Sequence, residues 1–230
     1  MADIHDVDVV VFDVLGTLVD EPGGLRAAMR EAAPASGDAF VEELLTLWQR
    51  HVEREQRRIA RGDRPYANTQ TVDAEAARRV AGVVGLDDPA AIARLATAGQ
   101  RLPPWADSAA GLERLARHVP VFGLSNAGRT ALLRLKAHAG LHWHRTLSGE
   151  AVLAYKPAPE VYRLAIDTAG CPPERVLMVA AHAWDLRGAR AAGMRTAYVQ
   201  RPAGDPPTGS DAFDRHADGL DELVTALTAG

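Results

Sequence analysis

The chain is poor in cysteine and lysine and has no long apolar run, and each scarcity removes a class of function. Cys171 is the single cysteine in 230 residues. No internal disulfide can form, so an oxidising compartment is not implied. With no His or Cys partner at metal or triad spacing, Cys171 reads as a small filler near a helix end. No apolar run approaches the roughly 20 residues that a membrane span needs. The N-terminal "MADIHDVD" is acidic and has neither a charged leader nor an apolar core, so it does not read as a signal peptide, and the cytoplasm is the expected compartment. A net charge of -4 leaves no basic footprint for nucleic acid and no polybasic patch for a membrane surface, which favours a small-molecule partner. Basic positions are almost all arginine, with Lys136 and Lys156 the two lysines.

What is present is an ordinary globular balance, 47% hydrophobic and 24% charged. Its length suits one large domain or a domain with an insertion. Apolar β-rich runs at 7–13, 119–124, 175–181 and 196–199, each followed by a helix-compatible stretch, predict parallel βαβ units with helices on both faces of a sheet. The gap between the first two runs far exceeds a simple crossover. It is helical in pattern: Phe40, Leu44, Leu47, Trp48, Val52 and Ile59 recur at spacings near three and four, with Gly62 just past the end. Two more helical segments open on Asp73 and Asp88, both suited to an N-cap. The expectation is an α/β core of residues 1–21 and 103–230 carrying an α-helical cap of residues 22–102. "RLPPWADS" is the return hinge, since two prolines cannot continue a helix. The segment "RPAGDPPTGSDAFD" reads as loop and "DGLDELVTALTAG" as a closing helix.

In open parallel sheets ligands bind beyond the carboxyl ends of strands. The polar residues there are Asp13 and Thr17, Ser125 and Asn126, and His182 and Asp185, with Lys156 in "YKPAPEVY" just before a proline-initiated helix. Each has a bland reading. Asp13 suits a turn or cap acid, Ser125 and Asn126 an N-cap, Asp185 a surface acid. Each also has a chemical one: Asp13 is a carboxylate that could attack carbon or phosphorus. Lys156 is a compact ammonium that could neutralise a carboxylate nucleophile and a carboxylate substrate together.

The order Asp, Ser, Lys, Asp on successive strand ends resembles the haloacid dehalogenase superfamily, with "FDVLGTL", "LSN", "YKP" and "VAAHAWD" as its four motifs. That resemblance implies a Rossmann-like core, an α-helical cap and a site between them. Most members are magnesium-dependent phosphatases that place a general acid two residues after the nucleophile. Here Leu15 stands at that position and cannot carry a proton. The fourth motif has Ala180, Ala181 and His182 where an acidic pair is usual, a poor set for Mg²⁺.

"AWD", "LSNA" and Tyr162 look instead like the type II 2-haloacid dehalogenases of this superfamily. Carried over, Asp13 is the nucleophile that displaces halide from a small 2-halocarboxylate, with no metal and no cofactor. Thr17, Ser125 and Lys156 position substrate and nucleophile, Asn126 helps to hold the halide, Tyr162 supports Lys156, and Asp185 handles the hydrolytic water. Such enzymes are commonly homodimers, and a homodimer is expected. They typically carry a Tyr at Leu15, Ser and Asn at Ala180 and His182, and a cap Arg where this chain has Gln49. Arg50 and Arg54 are the candidates to replace that arginine. His182 could contact halide or water beside Asp185, or be a satisfied core histidine. Trp184 and Trp105 could wall the pocket or simply pack. Trp48 reads as core, and "EREQRRIARGDR" as a solvated helix face. Rival expectations are a phosphatase with a rearranged metal site and a non-catalytic binding member of the fold.

Overall fold

The computed structural model describes residues 7–229. Most of the acidic N-terminal stretch and the first six residues of the expected core lie outside the described residues. The sheet begins with β1 (Val9–Asp13), whose sequence VVVFD is buried at every position. Such β-branched runs without alternation belong to a strand covered on both faces. Around it are β2 (Val121–Ser125), β3 (Arg145–Ser148), β4 (Val176–Ala180), β5 (Arg195–Val199) and β6 (Arg215–Ala217). All pair in parallel, in the order β3-β2-β1-β4-β5-β6. This is the doubly wound arrangement, with β1 at its centre and the crevice beyond its carboxyl end.

Four strands fall where the apolar runs place them. The two others, "RTLS" and "RHA", are the sheet's edges and are too short and polar to read as buried strands. The segment at 201–214 is loop, as expected, and the closing helix is α9 (Leu220–Thr228). The other core helices are α5 (Ser108–Leu115), α6 (Arg129–His138), α7 (Pro159–Ala169) and α8 (Ala183–Ala191).

Between β1 and β2 the chain forms α1 (Glu21–Ala32), α2 (Asp38–Ala60), α3 (Thr69–Val84) and α4 (Pro89–Ala96). Helix α2 buries Val41, Leu44, Leu45 and Trp48 on one stripe. Asp88 caps α4 as expected, accepting from the amides of Ala90 and Ala91. Asp73 does not cap α3. Asn68 does, accepting from Thr71 N, and Asp73 lies one turn inside the helix. The charged run at the end of α2 is also not a wholly solvated face. Glu55 within it is 3% exposed and takes Arg64 Nη1 at 2.8 Å, Arg54 Nε at 2.9 Å and Arg58 Nη1 at 3.0 Å. Burial alone would raise this carboxyl, but Arg64 and Arg54 hold it at about 2.

The two connectors of the insertion lie side by side. Val19 bridges Pro104, Asp20 N donates to Pro103 O at 2.8 Å, and Trp105 N donates to Leu18 O at 3.1 Å. At the far end Thr69 Oγ1 accepts Gly128 N at 2.9 Å, and Tyr155 OH donates to Ala67 O at 2.6 Å. The helices are therefore tied to the loops beyond β2 and β3, above the carboxyl end of the sheet.

Within β2, Gly123 lies under the ring of Trp143, and a Cβ there would meet ring atoms at 2.8 to 3.1 Å. Trp143 is itself fixed by donation from Nε1 to Thr146 Oγ1 at 2.8 Å. Gly123→Ala is expected to cost about 1–3 kcal/mol through overpacking, more than alanine gains over glycine in a strand. A urea midpoint equal to or above that of the parent would contradict this contact.

Candidate active site

The carboxyl end of β1 delivers Asp13 to the crevice, 6% exposed. Facing it is Lys156, from the loop that leads into α7. Its Nζ lies 2.9 Å from Asp13 Oδ1 and 2.8 Å from Asp185 Oδ2. Asp185 is in the first turn of α8 and fully buried. Its other oxygen accepts Tyr162 OH at 2.7 Å. Thr17 Oγ1 donates to Asp13 Oδ2 at 2.7 Å and accepts from Ala181 N at 2.9 Å, tying the nucleophile loop to the end of β4. Both oxygens of Asp13 are thus oriented by donors. Burial disfavours the ammonium of Lys156, yet Asp13 and Asp185 together raise its pKa above the usual lysine value. Burial next to Asp185 likewise pushes the Tyr162 phenol up.

Asn126 Oδ1 accepts from Lys156 N at 2.7 Å, so its amide nitrogen is left to donate elsewhere. Ser125 Oγ accepts Ala127 N at 3.1 Å and is buried at the end of β2. The loop after Asp13 is braced from outside. Its carbonyls at Leu15, Gly16 and Thr17 meet His182 Nε2 at 3.2 Å, Trp105 Nε1 at 3.1 Å and Arg201 Nε at 2.9 Å. Gly16 needs to be glycine twice over: its φ is +77°, and a Cβ would come within 2.5 Å of His182 Nε2.

A cavity of about 280 Å³ opens over Asp13. Leu15, Ser125, Asn126, Lys156, His182 and Trp184 line it on the core side, with Glu21, Gln49, Glu53, Gln56, Gln70 and Asp73 from the helical insertion. Of the residues singled out in the sequence, Thr17, Asp185 and Tyr162 stand behind this wall: Thr17 touches Asp13, Asp185 touches Lys156, and Tyr162 touches Asp185. Three readings that the sequence leaves open are decided. Neither Arg50 nor Arg54 reaches the cavity; Arg54 is taken up by His51 Nδ1 at 2.9 Å and by Glu55. His182 does not pair with Asp185, whose oxygens are engaged, but stacks on Trp184 with centroids 5.8 Å apart. Trp105 braces the Gly16 carbonyl and is not part of the cavity wall. Trp48 is core, 4% exposed, with one edge at the cavity.

The residues present do not fit a magnesium ion. Both oxygens of Asp13 and of Asp185 already accept from Lys156, Thr17 or Tyr162. Leu15 and the Ala180, Ala181, His182 stretch add no side-chain carboxylate, whereas Mg²⁺ needs several hard oxygens in octahedral array.

Sequence reasoning missed Glu21 and Asp73. Among the described residues neither carboxyl has a hydrogen bond or ion pair, although both line the cavity. Burial raises Glu21 to about 7, with Asp13 adding to the shift and His182 opposing it. Burial and the neighbouring Glu21 raise Asp73 to about 8. An acid at the first position of a helix eight residues after the nucleophile was the available signal for Glu21. Asp73 was hidden by its plausibility as a cap.

A buried ammonium shared by an aspartate at the central strand end and another on the helix after β4, under a helical insertion, defines a hydrolase site of one family. The haloacid dehalogenase-like hydrolase model matches residues 7–193, and the chain belongs to that family. It is 30% identical to the (S)-2-haloacid dehalogenase of Pseudomonas putida over 87% of this chain and 88% of that one. Among solved structures it is similar to an L-2-haloacid dehalogenase with a TM-score of 0.88 and 31% identity, covering 97% of this chain and 100% of the other. The L-2-haloacid dehalogenase of Xanthobacter autotrophicus, solved with chloropropionic acid covalently bound, superposes with a TM-score of 0.80 at 28% identity, over 95% and 97% of the two chains.

Two outcomes follow for stability. Lys156→Met leaves two buried carboxylates without their cation and is expected to destabilise the fold by about 3–5 kcal/mol at neutral pH, read by urea unfolding. Glu21 and Asp73 act in the opposite sense. Their folded values lie above those of the unfolded chain, so the unfolded state sheds these protons first. Their contribution to stability is lost as pH rises from about 4 to about 8. A Glu21→Gln, Asp73→Asn variant is expected to melt above the parent at pH 9, with the gap closing towards pH 4; a pH-independent gap would contradict the assignment.

Proposed function

We propose that the chain is a 2-haloacid dehalogenase working through an Asp13 ester and without a metal. The observation that carries this reading is a nucleophilic carboxylate held by Lys156 and Thr17, next to Leu15, which offers no proton to a leaving group. Halide leaves as a stable anion and needs none. The Pseudomonas and Xanthobacter relatives, and the covalently bound chloropropionic acid in the latter, support it.

In the first step a lone pair of Asp13 attacks C2 from the side opposite the halogen. The new C–O bond forms as the carbon–halogen bond breaks, halide takes the electron pair, and C2 inverts. In this reading the amide N–H₂ of Asn126 donates to the departing halide, and Ser125 to the substrate carboxylate. In the second step water attacks the carboxyl carbon of Asp13, whose bond to the ester oxygen breaks, releasing a 2-hydroxy acid and restoring the carboxylate. Asp185, through Lys156, holds the charge balance of this step; one proton of the water passes to the departing alkoxide oxygen and the other is lost to solvent from the restored carboxyl. The helices of residues 22–102 act as the cap over this chemistry, and the working form is a cytoplasmic homodimer.

Halide release from 2-chloropropionate is expected with and without EDTA, and Asp13→Ala is expected to abolish it. Single turnover in ¹⁸O-water should place label in the Asp13 carboxylate, read by mass spectrometry of the peptide. Release without label, or turnover of p-nitrophenyl phosphate that EDTA stops, would remove the reading.

A further inference from the structure

The cavity is built for more than a three-carbon haloacid. A water molecule occupies about 30 Å³ in the liquid, and the space above Asp13 is about 280 Å³. Reaction at C2 engages only the floor, where Asp13, Ser125, Asn126 and Lys156 meet. The opposite wall comes from α1, α2 and α3, and its ionisable groups are the acids Glu21, Glu53 and Asp73, of which Glu53 is paired with Arg57.

Elsewhere this arginine-rich chain gives a cation to each acid it fully buries among the described residues, and to some that it half-buries. Glu55 has Arg64, Arg54 and Arg58; Glu75 has Arg64 at 2.7 Å; Asp107 has Arg201 at 2.9 Å; Asp13 and Asp185 share Lys156. Glu21 and Asp73, both half-buried, have no such cation. They are close enough to repel each other, they have no hydrogen-bond donor, and their carboxyls face a cavity whose one lining lysine or arginine among the described residues is Lys156. Without a cation the pair keeps its protons close to neutral pH, and a cation seated between the two carboxyls would take the place of a proton. The described residues supply no such cation, so it comes with the ligand. A resident metal ion does not meet the requirement, because the described residues contain no group of three or more His, Cys, Asp or Glu able to hold one. A protonated amine does, as a compact charge with three N–H donors for two acceptor carboxylates.

We propose that Glu21 and Asp73 form a recognition site for an ammonium group on the substrate, across the cavity from Asp13, so that the preferred substrate is an amine-bearing 2-haloacid. This rests on the dehalogenase reading for the reaction and goes beyond it for the substrate. Glu21 and Asp73 are specificity residues in it, and neither touches the reacting atoms.

The test separates binding from chemistry. Calorimetry at pH 7.5 compares 2-hydroxy acids, the halogen-free products, ending in an ammonium (4-amino-2-hydroxybutanoate and 6-amino-2-hydroxyhexanoate), in a methyl (the 2-hydroxy acids of equal carbon number) or in a second carboxylate. At least one amine is expected to bind about tenfold or more tighter than its methyl counterpart, the scale of one charge-assisted hydrogen bond. The same ratio is expected in kcat/KM for chloride release from 6-amino-2-chlorohexanoate against 2-chlorohexanoate. In the Glu21→Gln, Asp73→Asn variant both ratios are expected to fall towards one. Equal binding of amine and methyl forms by the parent protein, or preference for the dicarboxylate, overturns the proposal whether or not the variant folds. So does a preference that survives in the folded variant. Amine preference in calorimetry without chloride release would sink the dehalogenase reading and leave the ammonium site standing. Chloride release without amine preference would do the reverse.

Discussion

The structure turns on one buried ammonium. Lys156 is 5% exposed, and taking a charge of this size out of water costs several kcal/mol that a single carboxylate does not reliably return. Asp13 and Asp185 meet that cost together, which forces the end of β1, the start of α8 and the loop before α7 to converge within hydrogen-bond distance. Each partner is held from behind, Asp13 by Thr17, Asp185 by Tyr162, and the Lys156 backbone by Asn126. Even the helix packing obeys this constraint. A Cβ on Gly188 of α8 would lie 2.4 Å from the Tyr162 hydroxyl, so only glycine lets α7 and α8 approach closely enough for that bond. Stability and site geometry are therefore one problem in this molecule.

Much of this was legible in the residues because the relevant signals are local and chemical. The four inner strands announce themselves as apolar runs, and polar residues after three of them point to the crevice. What escaped did so for identifiable reasons. Strands β3 and β6 sit at the edges, where a few polar residues suffice and no apolar pattern is needed. The charges of α2 repeat as a surface face would, and nothing in the spacing reveals that Arg64, beyond the helix end, folds back to bury Glu55. Asp73 fits the chemistry of a cap, but Asn68 lies one turn earlier and captures the role.

The same contrast separates reaction from selection. The groups arranged around Asp13 come from the sheet and its loops, where order along the chain predicts position in space. The facing wall comes from helices whose side-chain directions depend on packing between α1, α2 and α3. Position 49 illustrates the difference: a glutamine there is visible in the sequence, but that no nearby arginine takes its place becomes apparent only once Arg54 is seen bound to His51 and Glu55.

The loop that follows Asp13 receives one of its braces from Arg201, which also binds Asp107 at 2.9 Å. The family model ends at residue 193, before β5, β6, α9 and this arginine. The stretch that carries the family pattern is thus shorter than the working unit. A gene fragment cut at residue 193 would keep all four signature stretches, yet it would lose one flank of the sheet and a strut under the attacking group.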